Sequence, residues 1–277
     1  MKKIVFLSNW GEPPAQILKR YSKQTPNNSG IWNNIIGVDN IKDADFYIIL
    51  EGFNQKLPQD KTISIKREPK FINNTKPNYQ NIITWDDSNC GITWWVNKSY
   101  DELKSMEYPE KSKKVSCVVS SKHNHRLNYV KSLFIGKSLI DLYGIGHDKG
   151  YYNDHYKGPL MYDGNCKLRG LIDYEYSIVL ENSQEKNYFT EKLADALLSW
   201  SVPLYWGCPN MHNFFPKNSY FYIDINSKTP MEDINRLIEQ PIDMNALNVA
   251  RKKILDEFNI WEIISNKLNK YEVLQSV

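Results

Sequence analysis

The sequence contains no apolar run that approaches the ~18 residues needed to cross a membrane. Its opening residues, MKKIVFLSNWGE, hold two lysines but only four successive apolar residues, too few for the hydrophobic region of a signal peptide. Low-complexity segments and internal repeats are also missing. We therefore expect a soluble, cytoplasmic protein without a transmembrane segment, peripheral to a membrane at the most.

Cysteine is scarce, and neither sign of charge is in large excess. The four cysteines, at positions 90, 117, 166 and 208, lie far apart and form no C-x-x-C pair, which argues against a disulfide framework. Cys117 lies inside an apolar run and is predicted to be a core residue. The net charge of +3 and the pI near 8.4 suit an anionic small-molecule ligand and give no reason to expect a nucleic-acid partner.

The length of 277 residues suits one large or two small domains. Short apolar runs bounded by polar or Pro/Gly stretches predict buried parallel strands in the first half, over 4–7, 46–50, 62–65 and 81–85. A charged stretch, residues 101–114, contains Pro109 and lacks a continuous apolar face, so we interpret it as a linker. The domains are accordingly predicted over 1–110 and 111–277.

A second α/β unit is predicted after the linker. Its elements are strands over 115–120 and 139–143, a helix over 124–138, a further strand over 220–225, and helices over 231–240 and 243–272. Residues 145–170 are rich in Gly, Tyr, His and Asp, which predicts irregular structure.

The most informative stretch is residues 176–207, YSIVLENSQEKNYFTEKLADALLSWSVPLYWG. It predicts a strand, a loop, a helix capped by Thr190 and a second strand, which together form a βαβ unit. Glu191 and Lys192 then lie in the first helical turn, at the carboxyl end of a strand, where open α/β sheets bind ligands. A helix N-terminus suits phosphate, although from position alone Lys192 is equally well explained as a solvated surface residue.

Three groups of residues in this stretch carry a resemblance to a known family. They are Glu181-Asn182-Ser183, Tyr188-Phe189-Thr190-Glu191-Lys192, and Val202-Pro203 followed by Gly207. In this order they resemble the donor-binding motif of the α1,3/α1,4-fucosyltransferases, glycosyltransferase family 10. The resemblance implies a GT-B fold, with two Rossmann-like βαβ domains facing across a cleft and helices at the C-terminal end. It also implies an inverting transfer from GDP-fucose to a glycan acceptor, with no obligatory metal or cofactor.

The resemblance implies a nucleotide-sugar donor site in the C-terminal domain, 111–277, and an acceptor site in the N-terminal domain, 1–110. Arg126 follows a strand at a helix start, where a guanidinium can clamp a diphosphate but where a surface arginine is the simpler interpretation of the residue alone. The family carries an arginine here, so the resemblance makes Arg126 and Lys192 the diphosphate ligands, and Glu191 the partner of a sugar or ribose hydroxyl. Ser121 departs from the asparagine of many members. The remaining donor-site candidates are Asn182, Tyr188, Tyr143 and Glu181, the last of which could instead cap its loop.

An inverting transferase needs a base that takes the proton of the acceptor hydroxyl. The family carries a short glutamate-containing motif near this position, and the resemblance makes Glu68 the candidate base. Glu68 follows a predicted strand of the N-terminal domain. The adjacent Lys66 and Arg67 would tend to lower the pKa of Glu68 and weaken it as a base. Other strand-end carboxylates remain open as alternatives, namely Glu51, Asp86 and Asp87.

Three motifs suggest metal or nuclease chemistry, and for each we favour a structural explanation. Asp43-Ala44-Asp45 spells D-x-D but precedes a strand, whereas a metal-binding D-x-D follows one. His123-Asn124-His125 spells part of a nuclease motif without its remaining ligands. A third set, His147, Asp148, Asp154 and His155, could bind a metal by residue type, but a polar loop is the more common outcome.

Other functions stay open. A transferase that uses a different GDP-sugar would need few changes. A non-catalytic carbohydrate-binding protein could use the Trp94-Trp95 pair as a stacking platform. A nucleic-acid-processing protein could use the basic segment 111–131.

Overall fold

Two largely parallel sheets organise the chain. The computed structural model describes residues 1–69, 81–84, 90–122, 124–160 and 166–275. The strands of the first sheet are β1 (Lys2–Ser8), β2 (Ile31–Trp32), β3 (Ile35–Gly37), β4 (Phe46–Leu50), β5 (Thr62–Ile65) and β6 (Asn81–Ile83). They lie in the order β2-β3-β1-β4-β5-β6, and the pairings are parallel apart from β2 with β3.

The second sheet is parallel throughout its described strands. These are β7 (Lys113–Val118), β8 (Ile140–Tyr143), β9 (Tyr156–Gly158), β10 (Tyr174–Leu180), β11 (Val202–Trp206) and β12 (Phe221–Tyr222). Their order is β12-β11-β10-β7-β8-β9, with β10 and β7 at the centre. β10 is buried along most of its length and β7 over its middle residues, as expected for a parallel sheet covered on both faces.

Helices cover the sheets and close the chain. They are α1 (Pro14–Ser22), α2 (Tyr100–Ser105), α3 (Asn124–Ser132), α4 (Lys149–Tyr152), α5 (Cys166–Arg169), α6 (Glu191–Leu198), α7 (Pro230–Ile238), α8 (Met244–Lys252) and α9 (Ile260–Gln275). The last helix returns to the first sheet, where the Trp261 ring packs 5.2 Å from that of Phe6 and its Nε1 donates to Tyr21 O at 2.9 Å. Within the described residues every helix is too short or too polar to cross a bilayer.

The predicted linker begins as a helix. Ser99 accepts from Glu102 N at 3.2 Å, and the Glu102 carboxylate accepts from Ser99 N at 2.7 Å, which completes a capping box at the start of α2. This S-x-x-E signal is present in the sequence, and it outweighs the charged composition of the segment. The strand β7 begins at Lys113, within the predicted linker. The domain boundary at 110 stays a prediction.

Several predicted boundaries in the C-terminal half were wrong. The predicted helix over 243–272 is two helices, because α8 runs into a π-helical turn, Lys253–Glu257, and Asn259 then breaks the helix by accepting from Trp261 N at 3.1 Å. The predicted helix over 124–138 ends at Ser132, and the strand over 220–225 shrinks to β12. Residues 145–170, predicted to be irregular, contain α4, β9 and α5.

The described cysteines behave as the sequence indicates. Cys90, Cys117 and Cys208 are buried and carry free thiols. Cys117 lies in the centre of β7, and burial raises the pKa of its thiol to about 12. It is therefore a core residue, as predicted.

Candidate active site

A cavity of about 380 Å³ lies between the carboxyl edges of the two sheets. We call the part contributed by the first sheet and its loops the N-terminal wall, which includes Trp10, Arg67, Glu68, Thr93 and Trp95. We call the part contributed by the second sheet the C-terminal wall, which includes Ser120, Lys167, Asn182, Tyr188, Thr190, Glu191 and Lys192. Strand ends of parallel sheets are where α/β proteins collect ligands, so the position is that of a functional site.

The first turn of helix α6 lines the cavity. Thr190 has extended backbone angles, and its hydroxyl accepts from Lys192 N at 3.4 Å, so it is the predicted N-cap. The predicted apolar stripe anchors the helix, because it is completely or almost completely buried. Its members are Leu193, Ala194, Leu197 and Leu198. The burial of this face leaves Glu191 and Lys192 on the cavity lining.

Glu181 follows β10 directly and is fully buried. Its two oxygens accept from Thr190 N at 2.8 Å and from Thr190 Oγ1 at 2.7 Å, so the carboxylate holds the cap of α6 in place. Gly207 makes room for it, since a Cβ at this position would lie 2.5 Å from Glu181 Cγ. Glu181 thus performs the capping role that the sequence left open, and it lies beneath the C-terminal wall.

Charge is concentrated and paired at the start of α6. The Lys192 ammonium lies 3.0 Å from Glu191 Oε1 and 3.6 Å from Glu181 Oε2. Burial opposes its charge, but these two carboxylates outweigh burial and raise the pKa of Lys192. Burial likewise opposes ionisation of Glu191, but Lys192 and then Lys167 lower the pKa of Glu191 to about 2. Both groups are therefore charged at neutral pH.

At Glu181, by contrast, the effect of burial outweighs that of the neighbouring groups. It raises the pKa of Glu181 despite the nearby Lys192 and the hydrogen bonds from Thr190. Tyr188, which lines the cavity and is 1% exposed, also has its pKa raised by burial and then by Glu181. The phenol hence stays protonated and can donate a hydrogen bond.

Two predicted donor-site residues lie beside the cavity. As far as the described residues define the lining, it does not include Arg126 or Tyr143. Arg126 is 3% exposed, and its NH1 donates to Leu180 O at 3.0 Å, while Nε has no hydrogen-bond partner within the described residues. The Tyr143 hydroxyl lies 2.8 Å from that of Tyr174, in a buried pair. Their roles in ligand binding stay predictions.

Glu68 is placed on the opposite wall from Glu191 and Lys192. It follows β5, as predicted, and its backbone N donates to Glu51 Oε1 at 3.2 Å. The same oxygen accepts from Arg67 N at 2.6 Å, and Lys66 Nζ donates to Glu51 O. Glu51 is buried, and burial raises the pKa of its carboxyl group. Glu51 thus supports the turn that carries Glu68. The other two alternatives, Asp86 and Asp87, lie outside the described residues.

Asp195 joins the two walls and was missed in the sequence. It is fully buried in α6, and its Oδ1 accepts from Trp95 N at 2.7 Å and from Val96 N at 3.2 Å. Its other oxygen forms an ion pair with Lys167. The sequence does contain a signal for this residue, which is a carboxylate among the apolar residues of a helix. A charge at such a position needs a buried partner.

The metal and nuclease motifs have structural roles where they are described. Asp45 accepts from Lys3 N at 2.8 Å, just before β4. Asp148 caps α4, and His147 Nε2 bonds to Val119 O at 2.7 Å. In the described part of the chain, His, Cys, Asp and Glu side chains form no group of three or more that could hold a metal ion. His123, the first residue of the nuclease-like motif, lies outside the described residues.

The predicted Trp94-Trp95 platform does not form as a pair. Trp94 is buried, and its Nε1 donates to Lys98 O at 3.0 Å. Trp95 alone is exposed, and it shares the cavity with Trp10. The aromatic surface is thus built from two distant segments.

A second, more open groove of about 550 Å³ adjoins the cavity at Asn182. Its lining includes Lys122, His125, Gln184 and Trp206, and the His125 and Trp206 rings lie 5.6 Å apart. Asn182 therefore faces two spaces, which makes it a junction of the C-terminal wall.

Comparison with protein families gives a match over the middle and later part of the chain. Residues 108–241 match the family described as glycosyltransferase family 10 (fucosyltransferase), C-terminal part. This range contains the stretch 176–207, so the resemblance found in the sequence is confirmed.

Curated relatives match part of the chain. An alpha-(1,3)-fucosyltransferase of Helicobacter pylori is 34% identical over 64 residues, which is 23% of this chain and 13% of the relative. The 4-galactosyl-N-acetylglucosaminide 3-alpha-L-fucosyltransferase 9 of Mus musculus is 34% identical over 131 residues, 45% of this chain and 33% of the relative. The matched regions thus span a third or less of these two relatives.

Solved structures match almost the whole chain. An alpha1,3-fucosyltransferase crystal structure aligns with a TM-score of 0.54 and 16% identity over 98% of this chain and 89% of its own. The structure described as alpha1,3-fucosyltransferase with GDP-fucose aligns with a TM-score of 0.53 and 16% identity, over 98% of this chain and 90% of its own. A DNA-modifying beta-glucosyltransferase aligns with a TM-score of 0.50 and 13% identity, over 98% of this chain and 96% of its own. The likenesses confirm the GT-B fold, and their diversity shows that the fold alone does not identify an acceptor.

Proposed function

Because residues 108–241 match the C-terminal part of glycosyltransferase family 10, we propose that this chain transfers fucose from GDP-fucose to a hydroxyl group of a glycan. The observation that carries the proposal is the pairing of two walls across one cavity. A helix start with a charged Lys192 forms one side, and the carboxylate of Glu68 belongs to the other.

The C-terminal wall suits a diphosphate. The positive end of the α6 dipole attracts anions, and the Lys192 ammonium can donate charge-assisted hydrogen bonds to phosphate oxygens. Arg126 is buried close by, and its Nε has no hydrogen-bond partner within the described residues, so a shift of its guanidinium would bring it to the same ligand. Glu191, ionised because of Lys192 and Lys167, can accept hydrogen bonds from a sugar or ribose hydroxyl. Tyr188 and Asn182 line the same space.

The proposed reaction is an inverting displacement. Glu68 takes the proton of the acceptor hydroxyl, and the oxygen attacks the anomeric carbon of fucose from the face opposite GDP. The bond between this carbon and the phosphate oxygen breaks, and its electron pair leaves with GDP. Lys192, with Arg126, stabilises the negative charge that grows on the departing diphosphate. All parts of this step are supplied by the donor, the acceptor and the chain's own side chains.

The acceptor is proposed only as a class. The Mus musculus relative is named for a 4-galactosyl-N-acetylglucosaminide, and a relative from Xenopus tropicalis is named as a GDP-fucose protein O-fucosyltransferase. Named acceptors thus differ among relatives, and the family match begins at residue 108, after Trp10, Glu68 and Trp95. We propose a glycan hydroxyl as acceptor. The cytoplasmic location expected from the sequence is likewise a proposal, which cell fractionation would test.

Calorimetric titration of GDP, UDP, CMP and dTDP tests the donor site. The wild type should bind GDP more tightly than the others, and Lys192→Ala should lose this binding while keeping the wild-type circular dichroism spectrum. Lys186→Ala is the matched control, because Lys186 is exposed and not part of the cavity lining. Absence of nucleotide binding would overturn the transferase proposal in favour of a carbohydrate-binding protein. A preference for UDP would remove the fucose assignment alone.

A further inference from the structure

Two tryptophans of the N-terminal wall are exposed at the cavity. Trp10 is 48% exposed and Trp95 is 41% exposed, and both belong to the cavity lining together with Glu68. By contrast, the tryptophans of the core are at most 8% exposed; they are Trp32, Trp94, Trp200 and Trp261. Large apolar surface left open at a cavity is a common mark of a binding surface.

Each exposed indole rests on a guanidinium that is itself held in place. The Cζ atom of Arg67 lies 5.6 Å from the centre of the Trp10 ring, and that of Arg20 lies 5.2 Å from the centre of the Trp95 ring. Arg20 is fixed by Glu12 through two hydrogen bonds of 2.5 and 2.7 Å. The two indoles are therefore backed by cations rather than left mobile.

Arg67 is anchored as well. Its NH1 donates to Tyr21 OH at 3.2 Å, and its Nε lies 3.8 Å from Glu51 Oε1. Because Arg20 and Arg67 both have acidic partners, their charges are compensated within the protein. The platform is thus aromatic and close to neutral, which favours a neutral ligand over an anionic one.

The backbone of Trp95 is tied to the opposite wall. Trp95 N donates to Asp195 Oδ1 at 2.7 Å, and Asp195 lies one turn along α6 from Glu191 and Lys192. The same helix hence presents the proposed diphosphate ligand and positions one of the tryptophans. A molecule bound on Trp95 is held in a defined relation to the donor.

We propose that Trp10 and Trp95 form the acceptor subsite and bind a neutral pyranose ring through its apolar C–H face, with a hydroxyl directed towards Glu68. A pyranose offers an apolar face with polar edges, which matches an exposed indole beside a carboxylate. This inference rests on the proposed transferase function, because it takes Glu68 as the base. It adds the part of the site that the family match does not cover, since that match begins at residue 108.

The test uses single substitutions in the full chain. Trp10→Ala and Trp95→Ala should each raise the acceptor KM about tenfold, as expected when a contact of roughly 1.4 kcal/mol is removed. Trp10→Phe and Trp95→Phe should restore part of the affinity. Tyr151→Ala is the control, because Tyr151 is 49% exposed but lies outside the cavity lining. The probes are neutral oligosaccharides of β-linked galactose and N-acetylglucosamine, with binding also followed by saturation-transfer NMR.

Two donor measurements separate this inference from the proposed function. Calorimetric GDP affinity should be unchanged in the tryptophan variants, and the rate of GDP-fucose hydrolysis by water is measured on the wild type. If the wild type shows neither GDP binding nor hydrolysis, the proposed function fails. If both are present and the alanine variants keep the wild-type acceptor KM and NMR signals, the subsite is overturned while the transferase stands.

Discussion

The two walls of the cavity are built in different ways. The C-terminal wall draws its charged centre from one continuous stretch, in which Glu181, Thr190, Glu191 and Lys192 hold one another through short contacts. The N-terminal wall is assembled from three separate segments, around residues 10, 67–68 and 91–95, and its exposed groups are aromatic. Under the proposed function, this contrast places a rigid anion site opposite a surface whose sugar preference can change by substitution of a few side chains.

The largest expected effect concerns the base. Glu68→Gln keeps the size of the side chain but removes the proton acceptor, so kcat for transfer should fall by about 10²–10⁴-fold. GDP affinity should stay at the wild-type value, because the C-terminal wall is untouched. Steady-state kinetics and calorimetry on the same preparation measure the two quantities.

A matched substitution makes this result specific. Glu107→Gln also removes a carboxylate from the N-terminal half, but Glu107 is exposed and does not line the cavity. It should keep most of the activity. Wild-type kcat in Glu68→Gln would show that another group, such as Asp86 or Asp87, is the base.

The second effect tests the rigidity of the C-terminal wall. Glu181→Ala leaves Thr190 N without its partner in the interior, which should lower the free energy of unfolding by about 1–3 kcal/mol. The start of α6 should loosen, so GDP affinity should fall as well. Denaturant unfolding and calorimetry measure both. The exposed Glu239→Ala is the control, and equal stability of the two variants would contradict the capping role of Glu181.

The C-terminal wall could be predicted from the sequence because its order along the chain is also its order in space. The N-cap Thr190, the apolar stripe of α6 and the strand before it are local signals, and the structure confirms each. Trp10 and Trp95 carry no local signal, since an isolated tryptophan is equally suited to a core. Only tertiary packing brings them together.

The orientation of long side chains could not be predicted from the sequence either. Arg126 is placed at a helix start as predicted, but its guanidinium turns towards the Leu180 carbonyl. Glu51 likewise ends a strand as predicted, yet its carboxylate points into the turn of Arg67 and Glu68. A strand-end position predicts proximity to the site, whereas the partner of the side chain decides its role.

A third prediction tests Glu51 as a positioning residue. Glu51→Ala removes the acceptor of Arg67 N and Glu68 N, so the turn should shift and kcat should fall by roughly tenfold. Glu51→Gln retains an accepting oxygen and should restore most of kcat. The rate of unfolding separates a local shift from general destabilisation.

The readout must also exclude a direct role of Glu51 in proton transfer. In that case Glu51→Gln would lose as much kcat as Glu51→Ala, and the pH dependence of kcat would change its shape. A positioning role leaves this shape as in the wild type. Such a result would place the fixed part of the N-terminal wall beneath Glu68 and its adaptable part at the tryptophans.

The smallest expected effect is a difference in pH dependence between two neighbouring carboxylates. The pKa of Glu191 is lowered from its ordinary 4.5 to about 2, so its charge contributes stability above about pH 4.5, and this contribution is lost as the pH falls towards 2. The pKa of Glu181 is raised by burial, so its contribution is present below its ordinary value and is lost as the pH rises through the raised value.

Chemical unfolding of the Glu191→Gln and Glu181→Gln variants between about pH 3 and pH 7 checks both signs. Relative to the wild type, Glu191→Gln should lose stability as the pH rises, on the order of 1 kcal/mol because the Glu191 side chain is 27% exposed and partly screened. Glu181→Gln should gain relative stability over the same range. Slopes of equal sign would mean that the two carboxylates share one environment, and the C-terminal wall would then lack the division between a buried cap and a charged ligand-binding edge.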